Sequence, residues 1–264
     1  MPDHGLVPSS APFGSPCWAD LWTSDVEGSR RFYGELFGWE ADDPNPEFGG
    51  YFIFNHNDVE MAGAMGDMGE DMPANDTWKV YLATDDIATT LGVAEAQGAQ
   101  VIGPAMTVGD LGTQAVLIDP TGAHLGAWEA RSFPGFTVLD QPGAPSWFEL
   151  HTRDHATAVR FYSDVFRWDT RVVGDEDEFR YTTMRDPGGG EDMAGIMDAS
   201  AFLPDGVRAH WSLYWEVDDT DAAVSNVSSL GGSVIMDAQD TPYGRIASVA
   251  DRTGAQFKLR TAPR

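Results

Sequence analysis

Cysteine and lysine are almost missing from this chain of 264 residues, which has one cysteine, Cys17, and two lysines, Lys79 and Lys258. A single cysteine excludes an intrachain disulfide and fits a reducing cytoplasm, the expected location. No apolar run approaches the ~20 residues of a membrane-spanning helix. The segment from Met1 to Pro16 has neither a basic region nor an apolar core, so no signal peptide is expected. Positive charge is scarce overall: 16 Lys and Arg stand against 42 Asp and Glu, a net charge of −26. That field repels polyanions, so no nucleic acid and no anionic membrane is expected as a partner. There is no Gly-x-Ser-x-Gly elbow, His-Glu-x-x-His helix, phosphate loop or dinucleotide fingerprint. Asp175-Glu176-Asp177-Glu178 lacks the alternating ligands and central glycine of a calcium loop and reads as a solvated turn. Gly188-Gly189-Gly190 also reads as a turn.

What the chain does have, it has twice. Pro16-Cys17-Trp18-Ala19-Asp20-Leu21, then Asp25, Arg31-Phe32-Tyr33 and Phe37-Gly38-Trp39, are matched at a constant offset. The counterparts are Pro145-Ser146-Trp147-Phe148-Glu149-Leu150, Asp154, Arg160-Phe161-Tyr162 and Phe166-Arg167-Trp168. Met61-Ala62-Gly63-Ala64-Met65 returns as Met193-Ala194-Gly195-Ile196-Met197, and Asp119-Pro120-Thr121-Gly122-Ala123 as Asp251-Arg252-Thr253-Gly254-Ala255. The period is too long for a solenoid and indicates two copies of one compact domain. Domain one is read as Ser15 to Ala130 and domain two as Pro145 to Arg260. Arg131 to Ala144, with two prolines and two glycines, is the connector.

Each copy subdivides again. Strands are predicted at Cys17 to Trp22, Tyr51 to Phe54, Met61 to Met65, Lys79 to Ala83, Thr113 to Ile118 and His124 to Trp128. Helices capped by Asp25 and by Asp85 or Asp86 lie between them. The second copy repeats this at Phe148 to His151, Tyr181 to Met184, Met193 to Met197, Leu213 to Glu216, Ile246 to Val249 and Phe257 to Arg260, with helices after Asp154 and Asp218. The class is α+β, with four β-α-β-β-β modules. Alternation gives each strand an apolar face for the helices and a mixed face. The mixed face of domain one carries Trp18, Asp20, Trp22, Lys79, Tyr81, His124 and Trp128. That of domain two carries Trp147, Glu149, His151, Ser212, Tyr214, Glu216, Lys258 and Arg260. Aromatic walls with a few polar groups are typical of ligand pockets. Asp20 can pair with Lys79 and Glu149 with Lys258. Trp78, Trp211 and Trp215 fall on the helix side as core. Cys17, on the apolar face, is no nucleophile.

The Asp-capped helix ending in Phe-Tyr and Phe-Gly-Trp, and the Asp-Pro-Thr-Gly-Ala turn, together resemble the vicinal oxygen chelate superfamily of glyoxalases, bleomycin-resistance proteins and extradiol dioxygenases. The resemblance spans Ser15 to Leu259 and is most similar to tandem members described as hydroxylases or glyoxalase-like antigens. It implies that each domain curls a mixed sheet into a cup with the helices outside. It also implies where a divalent metal's ligands would lie: at Trp18, Lys79 and Gly126 in one domain, and at Trp147, Ser212 and Lys258 in the other. Tryptophan, glycine and ammonium are not donors for such ions. No metal and no other cofactor is therefore expected, although Glu149 and His151, sharing a face, keep an unusual His/Glu metal site open.

The resulting expectation is metal-independent binding of a small, aromatic or conjugated molecule in the cups, for sequestration or an accessory role in secondary metabolism. The alternative is a metal-dependent or cofactor-recruiting enzyme, with Glu149 and His151 as its catalytic residues. Gly66 to Asp76, with Met68 and Met72, and Asp198 to Ala209, with Phe202 and Leu203, are long enough to act as lids. Modules can pair within each half or across halves, as a monomer or a homodimer.

Overall fold

The computed structural model describes residues 11–69, 74–176, 179–185 and 190–263. The first half contains β1 (Pro16–Trp22), α1 (Val26–Phe37), β2 (Glu40–Ala41), β3 (Phe52–His56), β4 (Val59–Met65), β5 (Thr77–Ala83), α2 (Ile87–Ala96), β6 (Gln100–Val101), β7 (Met106–Val108), β8 (Gly112–Ile118) and β9 (His124–Ala130). The second contains β10 (Pro145–Thr152), α3 (His155–Phe166), β11 (Thr170–Glu176), β12 (Phe179–Met184), β13 (Ala194–Asp198), β14 (His210–Glu216), α4 (Thr220–Ser229), β15 (Ser233–Thr241), β16 (Gly244–Ala250) and β17 (Gln256–Thr261). These are two tandem α+β domains, each a mixed sheet of two β-α-β-β-β modules.

The helices begin where an aspartate satisfies their first free amides. Asp25 accepts from Gly28 N, Asp86 from Thr89 N, Asp154 from Thr157 N and Asp219 from Ala222 N. The caps of α2 and α4 are Asp86 and Asp219. Gly38 ends α1 in the left-handed region at φ 71°, where the absent Cβ removes the steric cost. Arg167 takes the same conformation after α3, at φ 56°, with its guanidinium 4.1 Å from the Phe13 ring centre.

Each sheet stays within its own half. β1 pairs antiparallel with β5, and β10 with β14, joining two modules edge to edge. The helices pair across halves instead, α1 against α4 and α2 against α3. The modules therefore pair into sheets within each half, and the two halves meet through their helices. Between the sheets lies an aromatic core in which Trp78, Trp211 and Trp215 are buried, as their strand face predicts. Tyr33 and Tyr162, wholly buried, reach across it to Asp251 and Asp119.

Some edge strands are absent from the sequence reading. β11 runs to Glu176, and Asp175 pairs with Arg180 of β12, so the acidic run begins in a hairpin strand rather than a turn. Its last two residues, the Gly188-Gly189 part of the glycine run, and Met72 lie outside the described residues. Among the described residues, no helix is long and apolar enough to cross a membrane.

Candidate functional site

The second cup is organised around one carboxylate. β10 presents Trp147, Glu149 and His151 on its concave face, with His151 opposite His210 and Glu149 opposite Ser212 on β14. Tyr214 lies beside Lys258 of β17. Glu149 Oε1 accepts from His151 Nε2 at 2.6 Å, Tyr214 Oη at 2.9 Å and Lys258 Nζ at 3.0 Å. Glu149 Oε2 accepts from Tyr181 Oη at 2.8 Å, and Tyr181 in turn accepts from Trp147 Nε1 at 2.9 Å. Burial alone raises the Glu149 carboxyl. The Lys258 charge and the bonds from His151 and Tyr181 outweigh it and hold the group well below the usual carboxylate range. Glu149 is thus an ionised anchor held by four side-chain donors, three on Oε1 and one on Oε2.

That anchor fixes the protons around it. A carboxylate only accepts, so the 2.6 Å contact makes His151 Nε2 a donor. The acceptor of a neutral His151 is then Nδ1, which has no hydrogen-bond partner among the described residues. Lys258 donates to Glu149 and, at 2.7 Å, to Tyr214 Oη, which in turn donates a hydrogen bond to Glu149. Nε2 of His151 lies 3.2 Å from Nζ but, being protonated, cannot accept from it. The third ammonium proton therefore remains for something else. The Lys258 side chain is 14 % exposed.

The first cup has the same parts in another order. Asp20 replaces Glu149, Tyr51 and Tyr81 replace the two tyrosines, and Trp22 stands where His151 would be. Asp20 Oδ1 accepts from Tyr51 Oη at 2.8 Å and Trp18 Nε1 at 3.0 Å. Its lysine comes from β5 rather than the last strand: Lys79 is directly opposite Asp20, with Nζ 5.7 Å from the Trp22 ring centre and 5.9 Å from that of Tyr81. The position matching Lys258 is Gly126, and the Tyr81 ring fills its side-chain space. Burial raises the Asp20 carboxyl, only partly opposed by Lys79 and the tyrosines, so equivalent carboxyls in the two cups shift in opposite directions.

The mouths differ as well. Connector residues Phe133 and Phe136 pack on Trp18 at 4.8 and 5.2 Å, and Trp128 Nε1 donates to Phe133 O. Phe136 N donates to Cys17 O. The connector therefore stoppers the first cup, leaving Trp18 4 % exposed. His124 is exposed at the rim. In the second cup Trp147 is half-buried, and no ring packs on it among the described residues. The Asp198 to Ala209 segment reaches over this cup. Phe202 meets the His151 ring edge-on at 5.6 Å, and Arg153 clasps the segment through the carbonyl oxygens of Leu203, Pro204 and Val207. Glu216 and Arg260 meet at 3.5 Å near connector residue Asp140, apart from this cluster. Two clefts of about 460 and 380 Å³ lie outside the cups, beside the starts of α1 and α3.

The donor set does not fit a divalent metal. In the second cup an ammonium occupies the space against both Glu149 and His151, repelling a cation where ligands would converge. Among the described residues, no group of three or more His, Cys, Asp or Glu side chains is arranged to hold a metal ion.

Sequence reasoning missed Tyr51, Tyr181 and His210 as cup residues. His210 was legible, since extending the alternation of β14 two residues before Ser212 reaches it. Tyr181 lies on β12 and Tyr51 just before β3, where the cup face was not assigned, and only the neighbouring glycines point to them. An added Cβ at Gly63 or Gly195 would meet the Tyr51 or Tyr181 hydroxyl at 1.8 or 1.9 Å.

The fold and the paired modules define a cup-forming protein. The chain belongs to the Glyoxalase/Bleomycin resistance protein/Dioxygenase superfamily, whose model matches residues 17–125 and 144–259. It is 34 % identical to the "Putative glyoxylase CFP32" of Mycobacterium tuberculosis, covering 95 % of this chain and 96 % of that one. It is also 34 % identical to the "Anthracycline biosynthesis protein DnrV" of Streptomyces peucetius, covering 93 % and 92 %. Among solved structures it is similar to the Mn(II)-bound glyoxalase from Novosphingobium aromaticivorans, with a TM-score of 0.63 and 14 % identity over 95 % of this chain and 82 % of that one. At that identity the likeness carries the fold alone.

Proposed function

We propose that the second cup binds one small, planar, conjugated organic molecule without a metal, in a sequestering or accessory role in secondary metabolism. The observation that carries this reading is the Lys258 ammonium, held between Glu149 and Tyr214 with one proton unspent where a metal-binding cup would gather its ligands. Trp147 and Tyr214 supply flat walls, and stacking on them contributes about 0.5–1.5 kcal/mol per ring pair. The relatives named for anthracycline biosynthesis support the accessory role. Trp22, Lys79, Tyr81 and Trp128 line a first cup that reads as structural. The cross-half helix pairing is complete within one chain, which supports a monomer. A second reading, turnover of the bound molecule, is favoured by His151, whose tautomer Glu149 fixes, and by the glyoxylase-named relatives.

The test is titration of the purified protein with planar aromatic ketones and phenols, following tryptophan fluorescence before and after chelator treatment. Saturable quenching that survives chelation supports the reading. Stoichiometric nickel, zinc, iron or manganese in the protein, with quenching abolished by its removal, overturns it.

A further inference from the structure

We propose that Phe133 is an internal stand-in for the guest: the molecule bound by the second cup sets an aromatic ring edge-on against Trp147, as the connector sets Phe133 against Trp18. This deepens the preceding reading and rests on it.

Three observations carry the proposal. First, the two indoles are mounted alike. Each follows the same break in strand register, with Trp18 opposite Tyr81 and Trp147 opposite Tyr214. Trp18 Nε1 donates to Tyr51 Oη at 3.0 Å, and Trp147 Nε1 to Tyr181 Oη at 2.9 Å. Each hydroxyl in turn donates at 2.8 Å to the carboxylate of its own cup, Asp20 or Glu149. Matching bonds on matching strands hold the two rings in the same pose.

Second, only one of the two indoles is covered. Phe133 meets Trp18 at 4.8 Å with 88° between the ring planes, the edge-to-face arrangement that an indole's quadrupole favours. Trp147, in the same setting, is half-buried and has no such ring on it among the described residues. Phe136 stands outside the analogy, because it also packs on Phe148 at 5.7 Å and so joins the two halves.

Third, the wall beside that seat changes from neutral to cationic. Phe133 also packs on Trp128, 6.1 Å away. Trp128 pairs with Ala83 on β5, and its counterpart on β17, paired with Glu216 of β14, is Arg260. Ser146 O at 3.2 Å and Glu216 at 3.5 Å hold the Arg260 guanidinium in place. A guest ring in this seat has an indole on one side and a guanidinium on the other, and a guanidinium favours an electron-rich ring face. The ligand class follows: a molecule that ends in an electron-rich aryl ring, not one that is conjugated without being aromatic. Arg260 and Trp147 are then the residues that select it.

The probe is 4-phenylphenol. Its control is 4-cyclohexylphenol, similar in length and apolar character but without the second aromatic ring. Both are titrated by calorimetry. The wild-type protein is expected to bind one equivalent of 4-phenylphenol, about two- to tenfold tighter than the control, the factor that one aromatic pair contributes. Trp147→Leu is expected to lose that preference and Trp147→Phe to restore part of it. Phe133→Ala, which empties the seat in the first cup, is expected to take up two equivalents. Toluene, a free benzyl side chain, is expected to raise the thermal midpoint of Phe133→Ala more than that of the wild type. The wild-type and Trp147 measurements decide the matter whether or not Phe133→Ala folds. Equal affinity for the two phenols, a preference kept in Trp147→Leu, or one equivalent bound by folded Phe133→Ala overturns the stand-in inference alone. So does binding of planar ketones with neither of these phenols bound. No saturable binding of any planar ketone or phenol overturns the planar-ligand reading and the inference with it.

Discussion

The Tyr33 hydroxyl donates across the molecule to Asp251 Oδ2 at 2.9 Å, and Tyr162 repeats the bond to Asp119 at the same distance. Each joins the helix motif of one half to the Asp-x-Thr-Gly-Ala turn of the other. The aspartate's remaining oxygen holds its own turn, Asp251 accepting from Thr253 and Ala255 amides and Asp119 from those of Thr121 and Ala123. Trp78 and Trp211 indoles donate to the same tyrosines.

Removing either hydroxyl leaves an aspartate oxygen and an indole N–H buried without that partner. Tyr33→Phe and Tyr162→Phe are each expected to cost about 1–3 kcal/mol. Calorimetry checks this. One cooperative transition that moves down in both variants is expected, because the bonds couple the halves. Two separated transitions in the wild type would contradict the coupling.

The two cup carboxyls predict opposite acid responses. Glu149 titrates below its unfolded value of about 4.3, so its stabilisation is present above that pH and lost as pH falls through the folded value. Asp20 titrates above its unfolded value of about 3.9, so its contribution turns unfavourable as pH rises through that interval and is constant above it. At neutral pH, Glu149→Gln is expected to cost about 3–5 kcal/mol by stranding Lys258. Asp20→Asn is expected to cost far less, or to stabilise. Urea midpoints measured from acid to neutral pH decide between equal and opposite behaviour.

Gly195→Ala is expected to push the Tyr181 ring off Glu149, since the new methyl would overlap the hydroxyl. An overpacking cost of about 1–3 kcal/mol follows. The Trp147 indole, bonded to that hydroxyl, is expected to change its emission maximum. An unchanged spectrum with unchanged stability would show that the ring has room to move.

Arg153→Ala is expected to free the segment over the second cup, because its guanidinium holds three carbonyl groups there. Hydrogen exchange should quicken between Asp198 and Ala209 and not in β10. The His151 imidazole should also react faster with an acylating reagent as Phe202 moves away. Uniform exchange rates would assign the segment's order to its own turns.

Much of the fold was legible because repetition and capping are local. Asp25 and Asp154 announce their helices, and strand alternation placed Glu149, His151 and Lys258 on one face. Pairing Glu149 with Lys258 was readable from that face, and the bridge at 3.0 Å is present. The matching idea for Asp20 and Lys79 fared differently: they oppose each other in register, but Asp20 is bonded by Tyr51 and Trp18, and Lys79 lies near aromatic rings. What stayed hidden depends on distant chain segments. Nothing in Phe133 or Phe136 says that they would lodge against Trp18, and nothing near Tyr33 names Asp251. β11 and β15 are exposed edge strands with little apolar patterning, so their periodicity is faint.

The lodged connector has a numerical consequence. A chain built from two copies invites a count of two guests, but one chamber is already occupied by the protein's own phenylalanines. If the second cup binds as proposed, saturation at a single equivalent per polypeptide is expected.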